Sequence, residues 1–362
     1  MKTSPLSFGS RIHLRSDEHF KLLIDRARFL EEHDYDTLVL DDHLLYGTST
    51  ALALDPFSTS TAVALETRKI RIGVAVTDLV RRHPAILAQT VGTLSTIIGQ
   101  DRFFLGLGTG DPMNHSPFGL PVDHRFERFK EGVLMLKMLW SSSIEKPVTC
   151  KGRFHHLTNA YLQTGPNRPL PQLYFAAFGK RMLQFTGEEA DGWIPHCHTP
   201  ETYQKDLAKI TEAAKRAGMS HKKITPSYYT LASVAMNRDI ANAHVLGPAR
   251  YFLALIPEAL KKIDSSVPHP GRIWETETDP RKQREIIRKI AATIPQDIAL
   301  KTTIHGTPAD CIEQVSLYQK QGCREFLLTF TPPSGLWSGD DALEMQDLFA
   351  EKVLKYFREE ND

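Results

Sequence analysis

The fold class predicted for this chain is α/β: an eight-stranded parallel (β/α)8 barrel with a mainly helical insertion. Three observations predict it. Short apolar runs alternate with helical segments almost from end to end. Runs such as IRIGVAV and RFFLGLG are apolar at successive positions, as strands buried on both faces require. Several runs pass directly into polar residues, and in repeating βα folds the chemistry collects at the carboxyl ends of the strands. An open doubly wound sheet is the alternative architecture. The chain has 362 residues, a length that one barrel with insertions accommodates. A single domain over 1–362 is expected, with residues 238–300 as an insertion within it.

The elements follow in order. LSFGSRIHL at 6–14 is a first strand, and 18–32 place Phe20, Leu23, Ala27 and Leu30 on one helical stripe. The strand TLVLDDHLLY carries Asp42 and His43. A helix near 57–66 leads to the strand at 70–76, and Pro84 opens the next helix at its first position. RFFLGLG at 102–108 enters a glycine-rich loop. Residues 125–140 are helical, with Phe129, Val133, Leu136 and Trp140 on one face. A short hairpin is expected around 154–157. PQLYFAAFGKRMLQFTGEEADGWIP reads as strand, helix and short strand. A surface helix over 201–217, a strand over 227–236, a helix over 308–321, a strand over 324–330 and a closing helix over 341–357 complete the alternation. Residues 238–300 hold more helix than one barrel connection needs, and are read as a lid over the carboxyl face or an oligomer contact.

Bulk properties narrow the function. Lys plus Arg is 44 and Asp plus Glu is 43, a net charge of +1, so no general attraction to nucleic acid or an anionic membrane is expected. The four cysteines are too few and too scattered to staple the chain, and are read as reduced thiols. Cys197 lies between His196 and His198, yet this spacing lacks the distributed ligands of a zinc site. No apolar signal core and no apolar run of about 18 residues occur. A cytoplasmic protein with no membrane span is expected, pairing as a homodimer and acting on a small molecule.

The strand ends carry the candidate chemistry. His43 is a proton donor or acceptor near neutral pH, or a loop-positioning residue. Asp41 and Asp42 are adjacent, so strand alternation sends only one of them toward the barrel axis. Gly106, Gly108 and Gly110 recur at every second residue and are read as clearing space for a flat ring. A dinucleotide fingerprint does not fit, because Pro112 and a polar loop follow in place of a helix. Asp111 either carries a proton or caps the loop. FGKRM at 178–182 sits at a strand-to-helix junction, an anion socket or a plain turn. Arg81 and Arg82 either face an anionic ligand or form a solvated basic pair. Phe118, Trp193, Tyr228 and Tyr229 form either apolar surface near the cleft or ordinary core.

Taken together, LVLDDH, IRIGVAVTDLVRRHPAILAQ, FLGLGTGDPMN and LYFAAFGKRMLQFTGEEADGWIP resemble the luciferase-like flavin and deazaflavin superfamily. The chain is most similar to its coenzyme F420-dependent oxidoreductases, within them to the phthiodiolone ketoreductase-like group, and more distantly to methylenetetrahydromethanopterin reductases. The resemblance implies a TIM barrel with the deazaflavin at its carboxyl face, and a non-prolyl cis peptide behind the central ring, matched first to Ala75–Val76, next to Thr77, with Gly73–Val74 and Val74–Ala75 as the alternatives. It implies that Asp42 and His43 stand near the ring, and that Gly108, Asp111 and Asn114 belong to the loop beside it. Ala177, Phe178, Gly179 and Lys180 would hold the cofactor phosphate, and His196 would contact the cofactor. His43 and Asp111 are the implied proton carriers, and Arg81, Arg82 and Arg181 candidates for the acidic cofactor tail. Ser10, Arg11 and Ile12 depart from the pattern, because the glucose-6-phosphate and methylene-pterin members carry an acid there, and Asp111 is shorter than the glutamate of several relatives. The implied activity is hydride transfer between F420 and a carbonyl-type carbon. The alternatives are an FMN-dependent monooxygenase, a methylenetetrahydromethanopterin reductase-like activity, and a barrel serving only as a subunit.

Overall fold

A computed structural model describes residues 6–46, 51–99, 101–163, 170–219, 224–332 and 340–359. Eight parallel strands close a barrel: β1 (Ser7–Arg11), β2 (Thr37–Leu40), β3 (Arg71–Asp78), β4 (Phe103–Gly108), β5 (Gln172–Phe175), β6 (Gly192–Trp193), β7 (Thr225–Val234) and β8 (Glu325–Phe330). Each pairs with the next in sequence, and β8 pairs with β1, Ser7 opposite Glu325. The ring is complete, so no barrel strand has an open edge. The doubly wound alternative is thereby excluded.

Helices α1 (Phe20–Glu32), α2 (Pro56–Glu66), α3 (Pro84–Ile98), α4 (Arg125–Trp140), α5 (Lys180–Glu189) and α6 (Pro200–Arg216) follow the first six strands. Their starts are chemically marked. Asp55 accepts from Ser58 N–H ahead of Pro56, and Thr199 forms a reciprocal capping box with Thr202 ahead of Pro200. After β7 come α7 (Arg238–Leu255), α8 (Pro257–Ile263), α9 (Pro280–Thr293) and α10 (Gln296–Leu300). A three-residue strand, Ile304–Gly306, then leads to α11 (Pro308–Lys320) before β8. The closing helix is α12 (Asp340–Phe349), which widens to a π turn over Ala350–Leu354 before α13 (Lys355–Glu359).

The barrel interior is packed by Val39, Ala75, Phe104, Tyr174, Ile194 and Leu327. At its amino end Arg71 reaches Glu325 at 3.2 Å and lies over the Phe104 ring. A Cβ on Gly73 would stand 2.1 Å from that ring, so glycine is required there. The carboxyl end is left for the loops. The insertion helices α7–α10 build their own apolar cluster, which takes in Met113, Cys197 and Leu231.

Two strands end earlier than the sequence predicts, and two short strands add to them. The second strand stops at Leu40, since Asp41 and Asp42 both turn aside to polar partners. The first stops at Arg11 for the same reason. The short strands Leu14–Arg15 and Ala51–Leu52, which pair antiparallel, are too brief to leave a sequence pattern.

Candidate active site

The carboxyl ends of β1, β2, β3 and β8 and the loop after β4 open on one cavity. Arg11, Asp41, His43, Tyr46, Ala75, Asp111 and Thr329 line it. His196 and Tyr229 complete the barrel side, and Tyr251, Phe252 and Leu255 of α7 cover it.

β3 reaches the cavity through an irregularity. Its register with β4 slips between Val74 and Thr77, and the Ala75–Val76 peptide is cis. Ala75 faces the cavity. Val76 turns toward β4, where a Cβ on Gly106 would stand 2.9 Å from its Cγ1 and 2.4 Å from the Val74 carbonyl oxygen. A Cβ on Gly108 would stand 3.0 Å from Val76 Cγ2. For Gly106 and Gly108 this corrects the sequence reading: they make room for the bulge of the neighbouring strand, while Gly110 faces His115 and Asp78.

Asn114 draws His43 and Asp111 together. Its Nδ2 lies 3.0 Å from His43 Nδ1 and 3.2 Å from Asp111 Oδ2. Its Oδ1 accepts from Leu44 N–H at 2.7 Å and Leu45 N–H at 2.9 Å. The other Asp111 oxygen accepts from Met113 N–H at 3.0 Å and caps the turn Pro112–Asn114. Asp111 therefore both lines the cavity and serves as the cap that the sequence left as an alternative. The side chain of Asn114 is engaged by the protein on every side.

Asp41 and Asp42 divide as strand alternation requires. Asp41 turns to the cavity and pairs with Arg11, both side chains buried. Burial opposes the charge on Arg11, but Asp41, with Tyr229 and Tyr46, holds its pKa above the ordinary value. The phenols of Tyr46 and Tyr229 are pushed up by burial and by the Asp41 carboxylate, so both stay protonated donors. Asp42 instead accepts from the Thr77 hydroxyl and from Arg81 (3.1 Å) and Arg82 (2.8 Å). Arg81 also grips Asp78 at 2.6 Å and Arg82 grips Asp55 at 2.6 Å. Burial alone would raise the Asp78 carboxyl, but His115 and Arg81 hold it well below the usual range. Both sequence readings of Arg81 and Arg82 are corrected: carboxylates of the protein itself occupy them. Asp42 and Thr77 support the loop from behind and do not line the cavity.

Ala177, Phe178 and Gly179 connect β5 to α5. The Ala177 carbonyl accepts from Trp193 Nε1 at 3.1 Å, and the Phe178 ring stacks on His198 at 5.6 Å. Lys262 of α8 donates to the Phe178 carbonyl at 2.7 Å and reaches Asp206, tying the insertion to this loop. Nothing lies within 4 Å of a Cβ built on Gly179, and no side chain caps α5. Lys180 is exposed, and Arg181 is paired with Glu127. Of the four aromatic residues singled out in the sequence, only Tyr229 lines the cavity. Trp193 and Tyr228 are buried in the core and Phe118 is on the surface.

His196 sits half-buried at the cavity wall between Tyr229 (5.6 Å) and Phe252 (4.5 Å), with Nδ1 3.1 Å from Cys197 Sγ. Burial, with the nearby His198 and Arg11, lowers its pKa from 6.5 to about 3. The unfolded chain thus takes up this proton at higher pH than the native one. The stabilisation is complete above pH 6.5 and is lost as pH falls toward 3. The difference in unfolding free energy between wild type and His196→Leu should therefore shrink by about 1.4 kcal/mol per pH unit through this window. Urea titrations at stepped pH measure it, and a pH-independent difference would show that His196 protonates freely in the fold.

Sequence reasoning missed the cavity roles of Arg11, Asp41, Tyr46, Tyr251, Phe252, Leu255 and Thr329. A signal existed for Arg11, a lone charge ending an apolar strand. The α7 residues carried none, because their helical stripe looks like ordinary packing. Among the described residues no group of three or more His, Cys, Asp or Glu side chains is placed to hold a metal ion, and no helix is long and apolar enough to cross a membrane.

A family profile described as luciferase-like monooxygenase matches residues 5–325. A phthiodiolone/phenolphthiodiolone dimycocerosates ketoreductase of Mycobacterium tuberculosis is 30% identical over 266 residues, covering 72% of this chain and 69% of that protein. An F420-dependent glucose-6-phosphate dehydrogenase of Nakamurella multipartita is 26% identical over 372 residues, covering 99% and 98%. Among solved structures, an F420-dependent secondary alcohol dehydrogenase in complex with an F420-acetone adduct shares the fold. Its TM-score is 0.78 at 24% identity, over 97% of this chain and 98% of that one.

Proposed function

Since the chain belongs to the luciferase-like monooxygenase family and is an oxidoreductase of the hydride-transfer type, we propose that its cavity takes coenzyme F420 and a carbonyl-type substrate. The observation that carries this reading is His43, an imidazole set in the wall of the same cavity as Ala75 of the β3 bulge. Its ring is held by Asn114 and faces a space that α7 covers with Tyr251, Phe252 and Leu255.

The residues fit the cofactor on two counts. The first amides of α5 have no side-chain cap and Gly179 opens onto free space, as a phosphate at a helix N-terminus requires. The cavity floor at Ala75 is apolar and narrow in side chain, which suits a flat ring. When bound, F420 supplies or accepts the hydride. The chain supplies the rest. His43 gives or takes the proton on the substrate oxygen, with Asp111 beside it through Asn114. Tyr46 and Tyr229 stand as neutral hydroxyl donors in the same wall. The α7 side chains exclude bulk water, which strengthens each of these polar contacts.

Calorimetric titration with F420 and with FMN tests the cofactor. F420 is expected to bind the more tightly. Equal or tighter binding of FMN would overturn that choice and favour the monooxygenase reading on the same barrel. Hydride transfer to a panel of ketones, enones and pterins, followed by the visible absorbance of the deazaflavin, then tests the substrate class.

A further inference from the structure

We propose that Asn114 is a positioning residue that fixes the tautomer of His43, leaving the ring proton on Nε2. The inference rests on the reading of His43 as proton carrier only for its catalytic consequence. The tautomer itself follows from hydrogen-bond counting.

A primary amide has a carbonyl oxygen that accepts two hydrogen bonds and a nitrogen that donates two and accepts none. The choice between the two ends of Asn114 is settled by its surroundings. Backbone N–H groups of Leu44 and Leu45 approach one end at 2.7 and 2.9 Å. These groups only donate, so that end is the oxygen. The other end is therefore the NH2 group, 3.0 Å from His43 Nδ1 and 3.2 Å from Asp111 Oδ2. Its two hydrogens meet two acceptors. A donor that faces Nδ1 requires a lone pair on Nδ1, and a neutral imidazole with a bare Nδ1 carries its proton on Nε2. Nε2 has no hydrogen-bond partner among the described residues, and the ring lines the cavity. The nitrogen that can donate is thus the one not held by the protein.

The arrangement is local in sequence on both sides. Leu44 and Leu45 directly follow His43, so one amide side chain clamps both the ring and the backbone that carries it. Asp111, three residues before Asn114, aligns the second hydrogen and keeps the amide from turning. All four hydrogen-bonding positions of Asn114 are filled, so the group has no freedom to switch.

The test is the imidazole nitrogen spectrum of the full-length protein, by long-range proton–nitrogen correlation at a pH where the ring is neutral. His43 is assigned by the signal lost in His43→Gln. The expected wild-type pattern is a bare Nδ1 and a protonated Nε2, and an Nδ1–H tautomer in the wild type would overturn the proposal. The paired exchange Asn114→Asp with Asp111→Asn conserves charge and puts an acceptor opposite Nδ1. It should convert His43 to the Nδ1–H tautomer, and an unchanged tautomer there would also overturn the proposal. Single-turnover hydride transfer in the exchanged protein should fall about 10²-fold relative to Asp111→Asn alone. F420 affinity should change little. A converted tautomer with an undiminished rate would uphold the tautomer assignment and instead refute the proton-carrying role of His43. The wild-type spectrum decides the tautomer even where an exchanged protein does not fold.

Discussion

His43→Ala is expected to lower single-turnover hydride transfer by about 10²- to 10⁴-fold, with F420 affinity nearly unchanged. The role assigned to the ring is realised in the transition state, so its loss falls on turnover more than on binding. The fold should tolerate the change. His43 follows β2 in a loop, its ring 5.0 Å from Tyr46 at the cavity wall, and the one N–H of Asn114 left without a partner can donate to water there. Stopped-flow measurement at saturating F420, across pH, separates chemistry from binding. Wild-type rates at every pH would remove His43 from the mechanism and pass the proton to Asp111, His196 or water. Asp111→Asn is the companion, expected to have the smaller effect, because Asp111 meets the ring only through Asn114 and an asparagine still caps the turn.

Arg11→Leu is expected to cost about 3–5 kcal/mol of folding stability, the usual consequence of breaking a buried ion pair from one side. Asp41 would remain with its side chain only 6% exposed and without its counter-charge. The double replacement Arg11→Leu with Asp41→Leu should recover most of the loss, since the uncompensated carboxylate goes with it. Denaturant titration of the two singles and the double closes the cycle. A single variant within about 1 kcal/mol of wild type would mean that the cavity hydrates Asp41 well enough to stand in for the guanidinium, and that the pair serves the site and not the fold.

The difference between what was legible and what was not follows from range. The strands and helices were readable because burial on both faces of a strand and one face of a helix is written into neighbouring residues. His43, Asp111 and Asn114 were readable for a related reason: each lies just beyond an apolar strand, and the fold sends all such ends to one face. Asp42, Thr77, Arg81 and Arg82 share that placement, yet the structure turns them to one another behind the site. Sequence position tells that neighbours such as Asp41 and Asp42 part, but not which of the two faces the cavity.

By itself the sequence determined the barrel, the order of its elements, the strand ends that carry chemistry and the family resemblance. These are properties of local pattern, and each can be read within a window of about one strand and one helix. Only the tertiary structure decided that Arg11 meets Asp41, that Val76 fills the space left by Gly106 and Gly108, that α7 covers the cavity, and that one amide, Asn114, joins His43 to Asp111. The physical reason is that, apart from the short step from Asp111 to Asn114, these pairings join separate elements about 30 to 250 positions apart in the chain. Their partners are chosen by ring closure and side-chain direction, which no single stretch of the chain contains.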